Sequence, residues 1–103
     1  ATFIVDAAFM TEDLDENGLG VDIGLATTVL KAIVAPLNYQ NLDELEIFRG
    51  KVTTTEVLAK HVFDQLKAGI AAGDLGPGGV RIRRLKVTLH ESHVARAWYE
   101  AAI

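Results

Sequence analysis

The densest group of chemistry-bearing side chains is the run His90-Glu91-Ser92-His93. Zinc-protease chemistry needs two histidines four apart on a helix, so that both reach one metal. Here they are three apart at a strand end, which argues against that activity. Neighbours on a strand point to opposite faces, so His90 and Glu91 part company if the strand continues through them. Glu91 shares its parity with Leu85, Val87 and Leu89, which directs a carboxylate toward an apolar side. A carboxylate taken from water needs donors. Two readings stand: a strand-end carboxylate satisfied by solvent or backbone, and one that accepts two N–H groups from a flat heterocycle. The run Thr53-Thr54-Thr55 also has two readings. It caps a helix, or its hydroxyls and backbone groups meet a ligand at a helix start. Gly73 to Gly79 lacks the Gly-Lys-Ser/Thr ending of a phosphate loop.

These residues need elements to position them. Phe3, Val5, Ala7 and Phe9 alternate with Thr2, Ile4, Asp6 and Ala8, the two-residue period of a half-buried strand over Thr2 to Met10. Thr11 to Gly20 is acidic and holds Asn17-Gly18, a turn pair. Asp22 is a cap for a helix with Leu25, Val29, Ile33 and Leu30, Val34 on one face, and Pro36 ends it at Ala35. A loop runs from Leu37 to about Val52. Thr53 and Glu56 have capping-box spacing ahead of a second helix of about four to five turns, with Leu58, Val62, Leu66 and Ala59, Phe63, Ile70 as its apolar stripe. Gly69, Gly73 and the stretch Gly76-Pro77-Gly78-Gly79 break that helix. Val80 and Ile82 share one strand parity while Leu85, Val87 and Leu89 share the other, so a bulge is expected near Arg83 and Arg84. A last strand carries Val94, Trp98 and Tyr99. Strands at the ends and helices in the middle predict an α+β fold, an antiparallel sheet with both helices on one face. The first strand pairs with a distant strand, with a strand that precedes it, or with another subunit.

The chain of 103 residues is 50% hydrophobic and 23% charged, the profile of a globular domain with one core. No apolar run nears the ~20 residues of a membrane span. The absence of cysteine removes disulfides, thiolate metal sites and thiol nucleophiles from these residues. Ala1 to Asp6 carries no secretory features, which points to the cytoplasm. Four basic residues lie between Arg81 and Lys86, but the net charge is −4 and the cluster lacks interleaved aromatics, which argues against a nucleic-acid partner.

Four stretches taken in order carry a resemblance: Asp15-Glu16-Asn17-Gly18-Leu19-Gly20-Val21-Asp22-Ile23-Gly24, Pro36-Leu37-Asn38-Tyr39-Gln40-Asn41-Leu42-Asp43, Thr53-Thr54-Thr55-Glu56-Val57-Leu58-Ala59, and His90-Glu91-Ser92 followed by Tyr99. The chain resembles the 6-pyruvoyl tetrahydropterin synthase and 6-carboxytetrahydropterin synthase family. That family shows a G-M-V-x-D-F turn into a helix, an L-D-H-x-x-L-N loop, a P-T-x-E-N-L-A helix start and an E-T strand end with a later tyrosine. The resemblance covers essentially the whole sequence, read as one domain over residues 1–103. It implies a tunnelling fold whose subunits join their sheets into a barrel, commonly a hexamer of two trimers, with this chain lacking the first strand. It also implies a pterin at subunit interfaces, anchored by Glu91, with Thr54 at the second helix start and Thr53 and Thr55 flanking it.

The departures from the family pattern shape the expected chemistry. Family members hold zinc through three histidines near the N-terminus. Ala1 takes the place of the third, and none of His61, His90 or His93 matches a zinc position, so no family-type zinc site is expected within these residues unless upstream sequence supplies it. The family's Asp-His pair aligns with Asn38-Tyr39. Asparagine is no general base, and an ordinary phenol with a pKa near ~10 is a poor one near neutrality, which leaves Tyr39 the role of acid or hydrogen-bond donor. The expected function is a divergent, lyase-like protein that binds a pterin or purine-like heterocycle and acts on a dihydroneopterin triphosphate-type substrate with altered chemistry. The alternatives are a non-catalytic pterin-binding paralogue and an assembly module.

Overall fold

A computed structural model describes residues 4–11, 22–37, 55–90 and 96–103. Strand β1 (Ile4–Thr11) is followed by helix α1 (Ile23–Val34), helix α2 (Thr55–Ala72) and strands β2 (Ile82–His90) and β3 (Arg96–Ala102). The strands form one antiparallel sheet in the order β1-β2-β3, and this separation of helices from an antiparallel sheet is an α+β architecture. The expected turn at Asn17-Gly18, the loop before Val52, Thr53 of the capping box and Val94 lie outside the described residues.

The first strand takes the distant partner among the three open choices. Ile4 pairs with His90 and Met10 with Arg84, while Thr11 pairs with Ile82. Arg83 is therefore the extra residue of a bulge, where the sequence requires one. The bulge lets both Ile82 and Leu85 face the core although they are three apart: Ile82 is 3% exposed and Leu85 fully buried. Beyond it Leu85, Val87 and Leu89 continue on the same side, joined by Val5, Ala7 and Phe9 of β1 and by Tyr99 and Ala101 of β3.

Helix α2 lies over this side and buries Leu58, Ala59, Val62, Phe63 and Leu66. The rings of Phe63 and Tyr99 meet edge to face with centroids 4.8 Å apart, an arrangement that suits the ring quadrupoles. The expectation that Gly69 breaks the helix is corrected. The helix runs through it to Ala72, because one interior glycine costs only about 1 kcal/mol against alanine. Gly69 is buried with Val29 of α1 beside it, and burial of Leu66 and partial burial of Ile70 on either side outweigh that cost. The stop comes at Gly73, whose φ of +84° suits glycine. Its N–H donates to the Ile70 carbonyl and the Asp74 N–H to the Gly69 carbonyl, a Schellman closure.

Helix α1 begins as expected, with the Leu25 N–H donating to Asp22 Oδ1 at 3.0 Å. It ends at Val34, and Pro36 sits in a 3-10 turn, Ala35–Leu37, that buries Leu37. Val29, Leu30, Ile33 and Val34 pack against the core as the spacing predicts. Leu25 does not: it is exposed and lies over Gly76 in the connection before β2, while its neighbour Ala26 is buried against Leu75 and Ile82. The α2–β2 connection supplies a surface one residue further round the helix than the leucine.

Candidate functional site

Three chain segments arrive at one place between the helices and the sheet. Leu37 closes the turn after α1, Leu58 sits in the first turn of α2, and Leu89 stands near the end of β2. All three line one cavity of about 280 Å³, just under the roughly 300–1,000 Å³ of ordinary small-molecule sites. Among the described residues, β1 contributes Val5, α2 adds Val62, and α1 contributes Leu30 and Val34 together with Thr27 and Lys31. Apart from Thr27 and Lys31 the described lining residues are apolar. Such a cavity takes a flat, largely apolar body with few polar attachments.

Of the residues singled out by sequence, Thr55 opens α2 and is half-buried. Asn38, Tyr39, Thr53, Thr54 and Glu91 lie outside the described residues. Thr27 and Lys31 were missed, although a signal exists: they are four apart on α1, flanked by Leu30 and Val34 on an otherwise apolar stripe.

The opposite face of the sheet mixes exposed apolar side chains, Ile4, Met10 and Trp98, with charged ones that are paired. His90 Nε2 donates to Asp6 Oδ2 at 2.8 Å, since a carboxylate only accepts. Arg84 Nε donates to Glu100 Oε2 at 2.6 Å, and this hydrogen bond holds the Glu100 carboxyl below the usual carboxylate range. The Lys86 ammonium stands 5.4 Å from the centre of the Trp98 ring. Arg83 donates to the Val80 carbonyl at 2.7 Å. Three of the four residues of the basic run, Arg83, Arg84 and Lys86, are thus on β2 and engaged locally. On α2, the Asp64 carboxylate accepts from Lys60 at 2.8 Å and raises the pKa of that ammonium.

The family's metal does not fit the described histidines. His61 lies on α2 over one side of the sheet and His90 is bonded to Asp6 on the other. Among the described residues no group of three or more His, Asp or Glu side chains could hold a metal ion.

The described residues form a two-helix, three-stranded α+β unit with an apolar cavity under its helices. The model of the 6-pyruvoyl tetrahydropterin synthase family matches residues 1–102, and the chain belongs to that family. A comparison with curated proteins finds no match. Family membership supports a pterin-related, synthase-like role. Among the described residues no helix is long and apolar enough to cross a membrane.

Proposed function

We propose that the protein binds a pterin or related purine-like heterocycle at subunit interfaces and acts on a dihydroneopterin triphosphate-type substrate with chemistry altered from that of its family. One observation carries the reading. The cavity is lined by Leu37, Leu58 and Leu89, which in sequence stand one residue before Asn38, four after Thr54 and two before Glu91. Glu91 is the anchor, its carboxylate accepting two N–H groups of the heterocycle, and Thr53, Thr54 and Thr55 supply further substrate contacts. Tyr39 serves as acid or hydrogen-bond donor near the reacting side chain, and Asn38 orients substrate without taking a proton. Among the described residues no strand pairs with the outer edges of β1 and β3, which suits a barrel of joined sheets, a tunnelling-fold hexamer in the cytoplasm.

The Asn38-Tyr39 pair also favours a second reading, a pterin-binding paralogue without turnover. Turnover of dihydroneopterin triphosphate that disappears in Tyr39→Phe decides against it. The binding reading is tested by calorimetric titration with neopterin beside Glu91→Gln, which keeps size and removes charge. A charge-assisted pair of bonds is worth about 1.5–3 kcal/mol, so the variant binds on the order of tenfold or more weaker. Equal affinity for the two proteins removes Glu91 as anchor.

A further inference from the structure

We propose that the hydrogen bond between His90 and Asp6 is a positioning pair for the heterocycle site: it holds the last residue of β2 in place, and with it the departure of the chain toward Glu91. The inference rests on the reading of Glu91 as anchor and adds two residues that touch no ligand. His90 is the final residue of β2, and Glu91 follows it in the sequence. The strand is paired on both sides up to this point, with Ile4 of β1 and Arg96 of β3 as the partners of His90. These are the terminal rungs of both ladders, and terminal rungs open most readily.

The side-chain bond reaches past the terminal rung. Asp6 is the ladder partner of Thr88, two residues inward, so the 2.8 Å contact from His90 Nε2 to Asp6 Oδ2 runs diagonally across one face of the sheet. Opening of the Ile4–His90 rung must break this bond as well. The imidazole is 28% exposed and the carboxylate 68%, so the pair is worth little by itself. Its place at the strand end gives it its consequence. A ligand held by Glu91 binds the fraction of molecules in which that end is closed, and its apparent affinity falls in proportion to the fraction. The Arg84–Glu100 bond is the contrast. It lies on the same face of the same strand, but six residues, roughly 20 Å, from His90. That bond stabilises the sheet without bearing on its far end.

The test is calorimetric titration of the full chain with neopterin, with the urea unfolding midpoint of each variant measured alongside. Asp6→Ala and His90→Ala each bind about two- to fivefold more weakly than the wild type, the size of an exposed pair. The double variant is no weaker than either single one, because the two side chains act through one bond. Asp6→Asn, whose amide carbonyl still accepts the imidazole N–H, keeps most of the affinity. Glu100→Ala lowers the unfolding midpoint about as much as Asp6→Ala and leaves neopterin affinity unchanged, which separates positioning from general stability. Wild-type affinity in Asp6→Ala overturns the proposal, as does an additive loss in the double variant, a loss in Asp6→Asn as large as in Asp6→Ala, or an equal loss in Glu100→Ala. In each of those cases the heterocycle reading stands. Failure of the wild type to bind neopterin, or equal affinity in the wild type and Glu91→Gln, removes the anchor reading and this inference with it.

Discussion

The two faces of the central strand are made by alternate residues of one backbone, yet they are held in different ways. Toward the helices, Leu85, Val87 and Leu89 are buried to 1% exposure or less among side chains from every described strand and helix. Away from them, Arg84, Lys86 and His90 each meet one neighbour on an adjacent strand: Glu100, Trp98 and Asp6. The inner face is fixed by area removed from water and by close packing, so its contributions are large and insensitive to salt. The outer face is fixed by single pairs in contact with solvent, whose worth is small and set by pH and ionic strength. A candidate cavity under the helices therefore rests on the closely packed side of the sheet.

Adjacent residues on β2 sharpen this comparison. Leu85→Ala empties a fully buried position and is expected to cost about 3 kcal/mol, within the 2–5 kcal/mol of such truncations, read as a lower midpoint in urea unfolding. Its neighbour Lys86→Met removes the charge over Trp98 and costs about 0.5–1 kcal/mol in the same assay. A Lys86 effect as large as that of Leu85, and dependent on protein concentration, would show that another subunit covers the outer face and would break the comparison. The smallest effect is a pH dependence. The folded-state pKa of Glu100 is lowered by the Arg84 hydrogen bond, so its contribution is present above the ordinary carboxylate range and is lost as pH falls through the folded value. Glu100→Gln should unfold with a shallower loss of stability between neutral and acid pH than the wild type, and parallel profiles for the two would remove the pair from the acid response.

Much of this architecture is legible in the residue order because it depends on local geometry. The change of parity between Ile82 and Leu85 demands the bulge found at Arg83, and Asp22 caps α1 because a carboxylate there reaches a free N–H one turn in. The candidate site residues come from motifs, and most of them lie outside the described residues. Glu91, Thr53, Thr54, Asn38 and Tyr39 stand out through their motifs, whereas Thr27 and Lys31 belong to no motif and read as ordinary helix residues until a cavity is seen beside them. Gly69 and Leu25 mislead for a related reason: a glycine marks a break only if packing does not carry the helix past it, and a leucine marks the core only if a surface waits for it.

By itself the sequence determined the period of each element, the strand-helix-helix-strand-strand order, the helix cap and the family, all of which follow from neighbours along the chain or from motifs in fixed order. Tertiary structure alone decided that β1 pairs with β2, that α2 continues through Gly69 to close at Gly73, and that Leu37, Leu58 and Leu89 share one cavity with Lys31. Those outcomes depend on how far apart whole elements come to rest. That separation is set by the summed packing of side chains distant in sequence, and no local window of residues contains it.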